Sequence, residues 1–372
     1  MIKPTTASIL HHFSSIEDPR INRQKKHELS DIFFITLSAV ICGADNWVAI
    51  EQFGKAKEDW FTEQLGLIHG IPSHDTFGDV FAAINTEQFS ECFSNWAADL
   101  AQLTEGEVIA IDGKCLRRSI DQASKKSAIH MVSAWAQHNR LVLGQVKVDE
   151  KSNEITAIPK LLSRLDISGA VVTIDAMGCQ KKIAQQITQQ EGNYVLSLKG
   201  NQGTLHDDVV TYFTSSLSPE PAVQTINGGH GRIETRTIRV TDDIDWLKKR
   251  HTWPGLQSII AVTATRDLGH KVSKETRYFL SSLNANNPDK LEHAVRAHWS
   301  IENSLHWVLD VAFDEDSNRT RKGHSAANLA VIRHIALNLI KNEKTSKVGV
   351  KIKRLKAGWD NHYLLKVIGM DI

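Results

Sequence analysis

The stretch Glu107-Val-Ile-Ala-Ile-Asp-Gly-Lys114 is a short β-branched apolar run that ends on Asp112 and passes at once to a small residue, Gly113. Ala170-Val-Val-Thr-Ile-Asp-Ala-Met177 repeats the pattern with Asp175 and Ala176. Runs of this length and composition read as buried strands. A carboxylate at the C-terminal end of a strand projects into the crevice beside the sheet. If the two strands are neighbours, Asp112 and Asp175 can share a metal ion. A lone aspartate after a strand is more often a helix or turn cap, and two in one sheet weaken that alternative.

The sequence between and around these runs alternates strand and helix patterns. His130 to Gln137 and Arg140 to Val148 are strand-like and separated by His138-Asn139, which predicts a hairpin. Ile158 to Leu165 fits a helix with Pro159 in its first turn. Lys181 to Gln190 and Gln202 to Leu217 are helical, and Asn193 to Lys199 is a further strand. This order predicts a mixed sheet flanked by helices rather than a doubly wound parallel sheet. Neither GxGxxG nor a P-loop is present, so no nucleotide cofactor is expected.

Beyond this core, residues 218–284 alternate at Glu234 to Val240, Gln257 to Thr265 and Glu275 to Ser282, with a flexible turn at Asn227-Gly-Gly-His-Gly231. They predict a β-rich insertion. Helical patterns return after Pro288, through Asp310 and again from Ser325 to Lys341. Upstream, residues 8–103 carry helical periodicity: Asp31 to Cys42 stopped by Gly43, Trp47 to Leu65, a helix opened by Pro72-Ser73, and Gln88 to Leu103. The expected organisation is a helical N-terminal domain over 1–103, a catalytic domain over 104–345 and a basic C-terminal segment over 346–372. The N-terminal domain is expected to fold apart from the core.

The bulk composition over 372 residues is that of an ordinary globular protein, with a net charge of +1. The longest apolar run, Ile32 to Cys42, is about half of what a bilayer requires, so no membrane association is expected. Met1-Ile-Lys-Pro-Thr-Thr opens no signal region, which favours the cytoplasm. The four cysteines lack metal-ligand spacing and are expected to be reduced thiols. DNA binding needs local positive potential, and basic clusters at Arg20 to Lys26, Lys114 to Arg118, Arg319 to Lys322 and Lys347 to Lys356 are candidates for it, although any one of them reads equally as a solvated face.

The third acidic candidate is Glu302, in His298-Trp-Ser-Ile-Glu-Asn-Ser-Leu-His-Trp-Val-Leu-Asp310. Helical spacing places His298, Glu302, His306 and Asp310 on one face, with Trp299 and Trp307 one position round. Such a stripe suits either a helix lining a site or a solvated face over a tryptophan-rich core. Three carboxylates around hard cations are what two-metal phosphodiester hydrolysis or strand transfer requires. Lys114, Arg117, Arg118 and Lys199 directly follow the strands and are candidates for holding phosphate.

Four stretches together, Ala110-Ile-Asp-Gly-Lys114, Thr173-Ile-Asp-Ala176, Leu198-Lys-Gly-Asn-Gln202 and His298 to Asp310, resemble the H-repeat-associated transposases of the ISAs type, within the DDE transposases. Phe13 to Arg20 and Ser73-His-Asp-Thr-Phe77 look like that family's transposase-associated N-terminal domain. The resemblance implies a mixed α/β, ribonuclease-H-like catalytic core with a β-rich insertion and a helical N-terminal domain. It implies Asp112, Asp175 and Glu302 as catalytic, metal-holding residues with Mg²⁺ or Mn²⁺. It further implies terminal inverted repeats and target DNA as partners, a homodimer on DNA, and a nucleoid-associated state when bound. Better-known relatives carry Tyr, Arg and Lys where this chain has Val295, His298 and Leu309. Phosphate contacts would then fall to Arg296, His298 and His306. A metal-dependent nuclease and an inactive, host-adapted DNA-binding derivative are the alternatives.

Overall fold

A computed structural model describes residues 6–21, 25–120, 127–149, 152–229 and 231–370. The Arg20 to Lys26 cluster, the Asn227 to Gly231 turn and the extreme termini therefore fall partly outside the described residues. Among the described residues six helices come first: α1 (Thr6–Phe13), α2 (Leu29–Ile41), α3 (Trp47–Ala56), α4 (Glu58–Leu65), α5 (His74–Ala83) and α6 (Thr86–Leu100). Their starts are set by local chemistry. Asn46, Ser73 and Asn85 each accept a backbone N–H of the first turn of α3, α5 and α6.

One mixed sheet follows. Its strands are β1 (Val108–Leu116), β2 (Ile129–Ala136), β3 (Leu141–Lys147), β4 (Val171–Ile174), β5 (Asn193–Leu198), β6 (Val223–Gly229), β7 (Arg232–Thr241), β8 (Ser258–Asp267) and β9 (Val272–Ser281). The order across it is 3-2-1-4-5-9-8-7-6. β4 runs parallel to β1 and β5, and the other neighbours are antiparallel. The strands of 218–284 thus extend the same sheet, with β9 pairing along β5. The intervening helices are α7 (Glu154–Leu162), α8 (Lys181–Gln189), α9 (Thr204–Thr214) and α10 (Asp245–Arg250). After the sheet come α11 (Pro288–Ile301), a π-helical turn (Glu302–His306), α12 (Trp307–Phe313), α13 (Ser325–Asn342), α14 (Val350–Trp359) and α15 (Asn361–Ile368). Among the described residues no helix is long and apolar enough to cross a membrane.

The sheet is covered on both faces. One face packs Ile109, Ile111, Val172 and Ile174 against α7 and α8. The other packs Val108, Val171 and Val195 against α11, and Ala110, Trp135 and Val142 against the helical layer.

Several local expectations change. β1 extends through Leu116, so Asp112 lies within a strand and not at its end. The β2–β3 hairpin turns through Gln137 to Arg140, with Arg140 at φ 56°, because the last strand pair is Ala136–Leu141 and four residues lie between them. α7 starts at Glu154, capped by Asn153, which leaves Pro159 inside the helix instead of in its first turn.

The N-terminal helices do not own their core. α2 is buried from Ile32 to Ile41 and α13 from Ser325 to Ile340. These two helices, one from each end of the chain, share a single apolar cluster with α12, α14 and α15. A helix apolar all round needs cover on every side, and part of the cover for α2 comes from residues near 330–368. The packing therefore does not favour separate folding of residues 1–103. The 347–356 cluster also turns partly inward. Lys353 bonds the Ile340 carbonyl and pairs with Glu343 at 3.2 Å, while Arg354 pairs with Asp45 at 2.7 Å. A buried lysine or arginine is tolerated only when so paired.

Candidate metal centre

Side chains alternate along β1, so Asp112 shares the face of Val108 and Ala110, beneath α11 to α13, whereas Gly113 faces α7. Asp112 pairs with Ser133 of β2, but on its other side β4 stops one residue earlier, at the Ile111–Ile174 pair. That early stop opens the edge of β1 where Asp112 stands. Asp175 follows β4 on the same face as Val171 and Thr173. Its Oδ1 accepts the N–H groups of Met177 (3.0 Å) and Gly178 (3.2 Å), so it also serves as a turn cap.

Glu302 sits where α11 gives way to the π-helical turn. Ligand atoms of Asp112, Glu302 and His306 lie within 4.8 Å of one another. His306 Nδ1 is 3.3 Å from Glu302 Oε2 and 3.6 Å from Asp112 Oδ2. Asp175 is outside that tight set, yet its charge reaches it. The Asp112 carboxyl is pushed up to about 7, first by burial, with Asp175, Glu302 and Glu154 adding to the rise against a bond from the Gly113 N–H. His306 is held down at about 4, by burial first and then by Lys114, so its ring is neutral at pH 7. His298 is lowered by burial, against the pull of Asp175, and lies 3.2 Å from the Thr173 hydroxyl.

The π-helical turn is held by two lysines from distant elements. A widened turn breaks the regular helical ladder, leaving carbonyls that need other donors. Lys341 of α13 donates to the Ser304 carbonyl at 2.7 Å while its ammonium lies 4.2 Å over the Trp135 ring. Lys114 donates to the His306 carbonyl at 3.2 Å and pairs with Asp310 and, at 3.2 Å, with Glu315. Lys114 is thus an internal tie and not a free phosphate ligand, since its own carboxylates already hold the charge. His306 likewise joins the acidic set instead of standing out toward phosphate.

Of the other basic candidates, Arg117, Arg118, Lys199 and Arg296 are exposed, whereas His298 is only partly exposed. Arg117 is 3.5 Å from Asp316, Arg296 is 3.4 Å from Glu292, and Arg118 and Lys199 lie at the ends of β1 and β5. β1, β4 and β5 are parallel, so these ends share the sheet edge that carries the acids. In the remaining basic clusters, Arg20 and Lys25 pair with Asp18, and Lys322 with Asp79. A groove of about 770 Å³ runs beside α11 from Asn303 to β7–β9, lined by Arg236, Arg266, Arg277 and Arg296. The half-exposed Trp299 lies there with the Arg277 guanidinium 5.1 Å from its ring. Glu234, Glu275 and Glu292 pair with these arginines.

Sequence reasoning missed Glu154, Lys341 and the Lys114–Asp310–Glu315 tie. Asn153, of a residue type that caps helices, was the available but unread signal for the first.

The chain has relatives among known proteins. Residues 103–339 match the family described as Transposase DDE domain, and residues 10–97 match DDE_Tnp_1-associated. The chain is 42% identical over 371 residues to "Putative transposase YncI" of Escherichia coli O157:H7, covering 97% of this chain and 94% of that protein. It is 41% identical to "H repeat-associated putative transposase YhhI" of Escherichia coli K12, covering 97% of each. An uncharacterized protein in the dhlA 3′ region of Xanthobacter autotrophicus is 47% identical over 279 residues, 73% of this chain and 94% of its own. With a DDE domain over more than half its length and relatives of this similarity along nearly all of it, the chain belongs to the H-repeat-associated family of DDE transposases.

Proposed function

We propose that the protein cleaves DNA at the terminal inverted repeats of an insertion element and joins the freed ends to target DNA, using Asp112, Asp175 and Glu302 around two Mg²⁺ or Mn²⁺ ions. The observation that carries this reading is the meeting of Asp112 and Glu302, from β1 and the end of α11, within reach of the Asp175 charge. A DDE domain implies divalent metal use, and the donor set suits it. Carboxylates are the donors that hard cations take, and Asp112 rises toward 7 first because it is buried and then because the neighbouring acids add to it. Asp112, Asp175 and Glu302 would hold the cations, with neutral His306 fixing the Glu302 and Asp112 oxygens from behind. Bound there, divalent ions supply an activated attacking oxygen and charge neutralisation at the leaving 3′ oxygen.

In the first step water adds to phosphorus and the bond to the 3′ oxygen breaks, leaving a 3′ hydroxyl. In the second, that hydroxyl adds to a target phosphorus and displaces the target's 3′ oxygen. No covalent protein–DNA bond forms. Arg117, Arg118 and Lys199 stand at the same edge as the acids and would hold phosphates there. Arg236, Arg266, Arg277 and Arg296 would line the flank, exchanging their glutamate partners for DNA. The 3-2-1-4-5 order of the first five strands supports a ribonuclease-H-like core over 104–345 with β6–β9 as its insertion. Residues 1–103 are proposed to contribute to DNA-end recognition, and two ends would be paired by a homodimer.

The test uses inverted-repeat DNA with Mg²⁺. Asp112→Asn, Asp175→Asn and Glu302→Gln should each abolish cleavage and spare DNA binding. Full cleavage by any one variant removes that residue from the set. Cleavage without any joined product would favour a nuclease.

A further inference from the structure

We propose that Glu154 is a fourth carboxylate of this metal centre, entering it from the opposite face of the sheet through the space that Gly113 leaves empty. The inference rests on the metal-centre reading above. Asp112, Asp175 and Glu302 all work from the α11 face, whereas α7 covers the other face. A residue of α7 can approach the acids only where the sheet is open. It is open here: β4 ends at Ile174, so β1 has no parallel neighbour beyond Ile111. At that gap the strand carries a glycine. A Cβ built on Gly113 would lie 2.0 Å from Glu154 Oε1 and 2.4 Å from its Cδ, so any side chain would expel the carboxylate.

Asn153, the N-cap of α7, accepts the Ile155 N–H and fixes Glu154 at the first helical position. The ordinary role of a first-turn glutamate is to face solvent and favour the helix dipole. Glu154 instead points onto the strand backbone, and among the described residues its carboxylate has no hydrogen bond or ion pair. Burial and then the charge of Asp175 raise its pKa, against the pull of His130, and it adds to the rise of Asp112 in turn. The centre also carries a nitrogen donor that a plain acidic surface patch lacks: His306 is 5% exposed, with Nδ1 toward Asp112 and Glu302 and Nε2 unpartnered. A cavity of about 220 Å³ lies between Glu154, His130 and Met177, leaving room beside the carboxylate.

The experiment is Mn²⁺ titration of the full chain without DNA, followed by electron paramagnetic resonance, for wild type, Glu154→Gln, Gly113→Ala and Asp112→Asn. Glu154→Gln keeps shape and removes charge, and should weaken or remove one Mn²⁺ by about tenfold or more. Gly113→Ala should do the same by displacing the carboxylate. In metal-free protein Glu154→Gln should unfold at no lower urea concentration than wild type. That separates a metal role from a helix-starting role, which would lower the urea midpoint and spare Mn²⁺. Wild-type stoichiometry and affinity in Glu154→Gln, with binding lost in Asp112→Asn, overturns the proposal and leaves the three-acid centre standing. Unchanged binding in Asp112→Asn as well overturns both.

Discussion

Lys114→Met separates two roles that the same residue could play. Sequence position suggested a phosphate ligand, whereas the structure makes Lys114 a tie between β1 and the segment that carries Glu302. Its side chain is 12% exposed and faces Asp310, Glu315 and the His306 carbonyl. Methionine fills the volume and removes the charge. Breaking a buried ion pair from one side costs about 3–5 kcal/mol, because the remaining charge is left uncompensated. Two features reduce that here. Asp310 is one-third exposed and can take water, and Glu315, 2% exposed, keeps Arg333 at 3.6 Å. The expected loss is therefore about 3 kcal/mol, read as a shift of the urea midpoint at constant m. Loss of the bond to the His306 carbonyl should also loosen the π-helical turn. A misplacement of about 1 Å in such a centre can cost roughly a hundredfold in rate, so cleavage should fall by about that much. DNA affinity and its salt slope should stay as in wild type. Lys114→Met/Asp310→Asn should recover part of the stability, since it removes the carboxylate that Lys114→Met leaves uncompensated and keeps the Glu315–Arg333 pair. A stability loss under about 1 kcal/mol, with weaker binding and a salt slope smaller by roughly one, would refute the tie and restore the phosphate role.

Arg354→Met should likewise cost about 3 kcal/mol or more, since it strands Asp45 and the Val40 carbonyl, without changing DNA affinity; a retained urea midpoint with weakened binding would return this residue to the DNA surface. His334 is held down at about 3 by burial, with His306, Lys114 and Arg333 adding to the fall. Its folded pKa lies below the unfolded value near 6.5, so its contribution is complete above pH 6.5 and is lost as pH falls toward 3. Urea midpoints at pH 7.5, 6 and 5 should decline less in His334→Phe, and equal declines would remove His334 as a cause. The fragment 1–103 should unfold without a cooperative transition, because α2 lacks its cover from α13 to α15; a sharp transition by circular dichroism would show that the fragment is self-sufficient.

The strand runs before Asp112 and Asp175 were legible because alternation, β-branching and apolar run length act locally, through backbone sterics and burial on a period of two. The same holds for the helix starts at Ser73 and Pro288, whose caps lie within three residues. The parallel pairing that brings Asp112 and Asp175 to one edge was only implied, because a strand pattern carries no record of its neighbour.

What the amino-acid sequence determined by itself is the main strands and helices, though not β6, α10, α14 or α15, together with the three acids placed on them and the family to which they belong. What the tertiary structure alone decided is which charges face the centre. Lys114 meets Asp310 and Arg354 meets Asp45 across 196 and 309 residues, so helical or strand spacing could not pair them. Lys353 and Arg354 turn inward because two helices from opposite ends of the chain share a core, which gives their charges buried partners. Glu154 comes against Gly113 for a similar reason. Its approach depends on where β4 ends and on the missing side chain at Gly113, and those matter only once the two faces of the sheet exist.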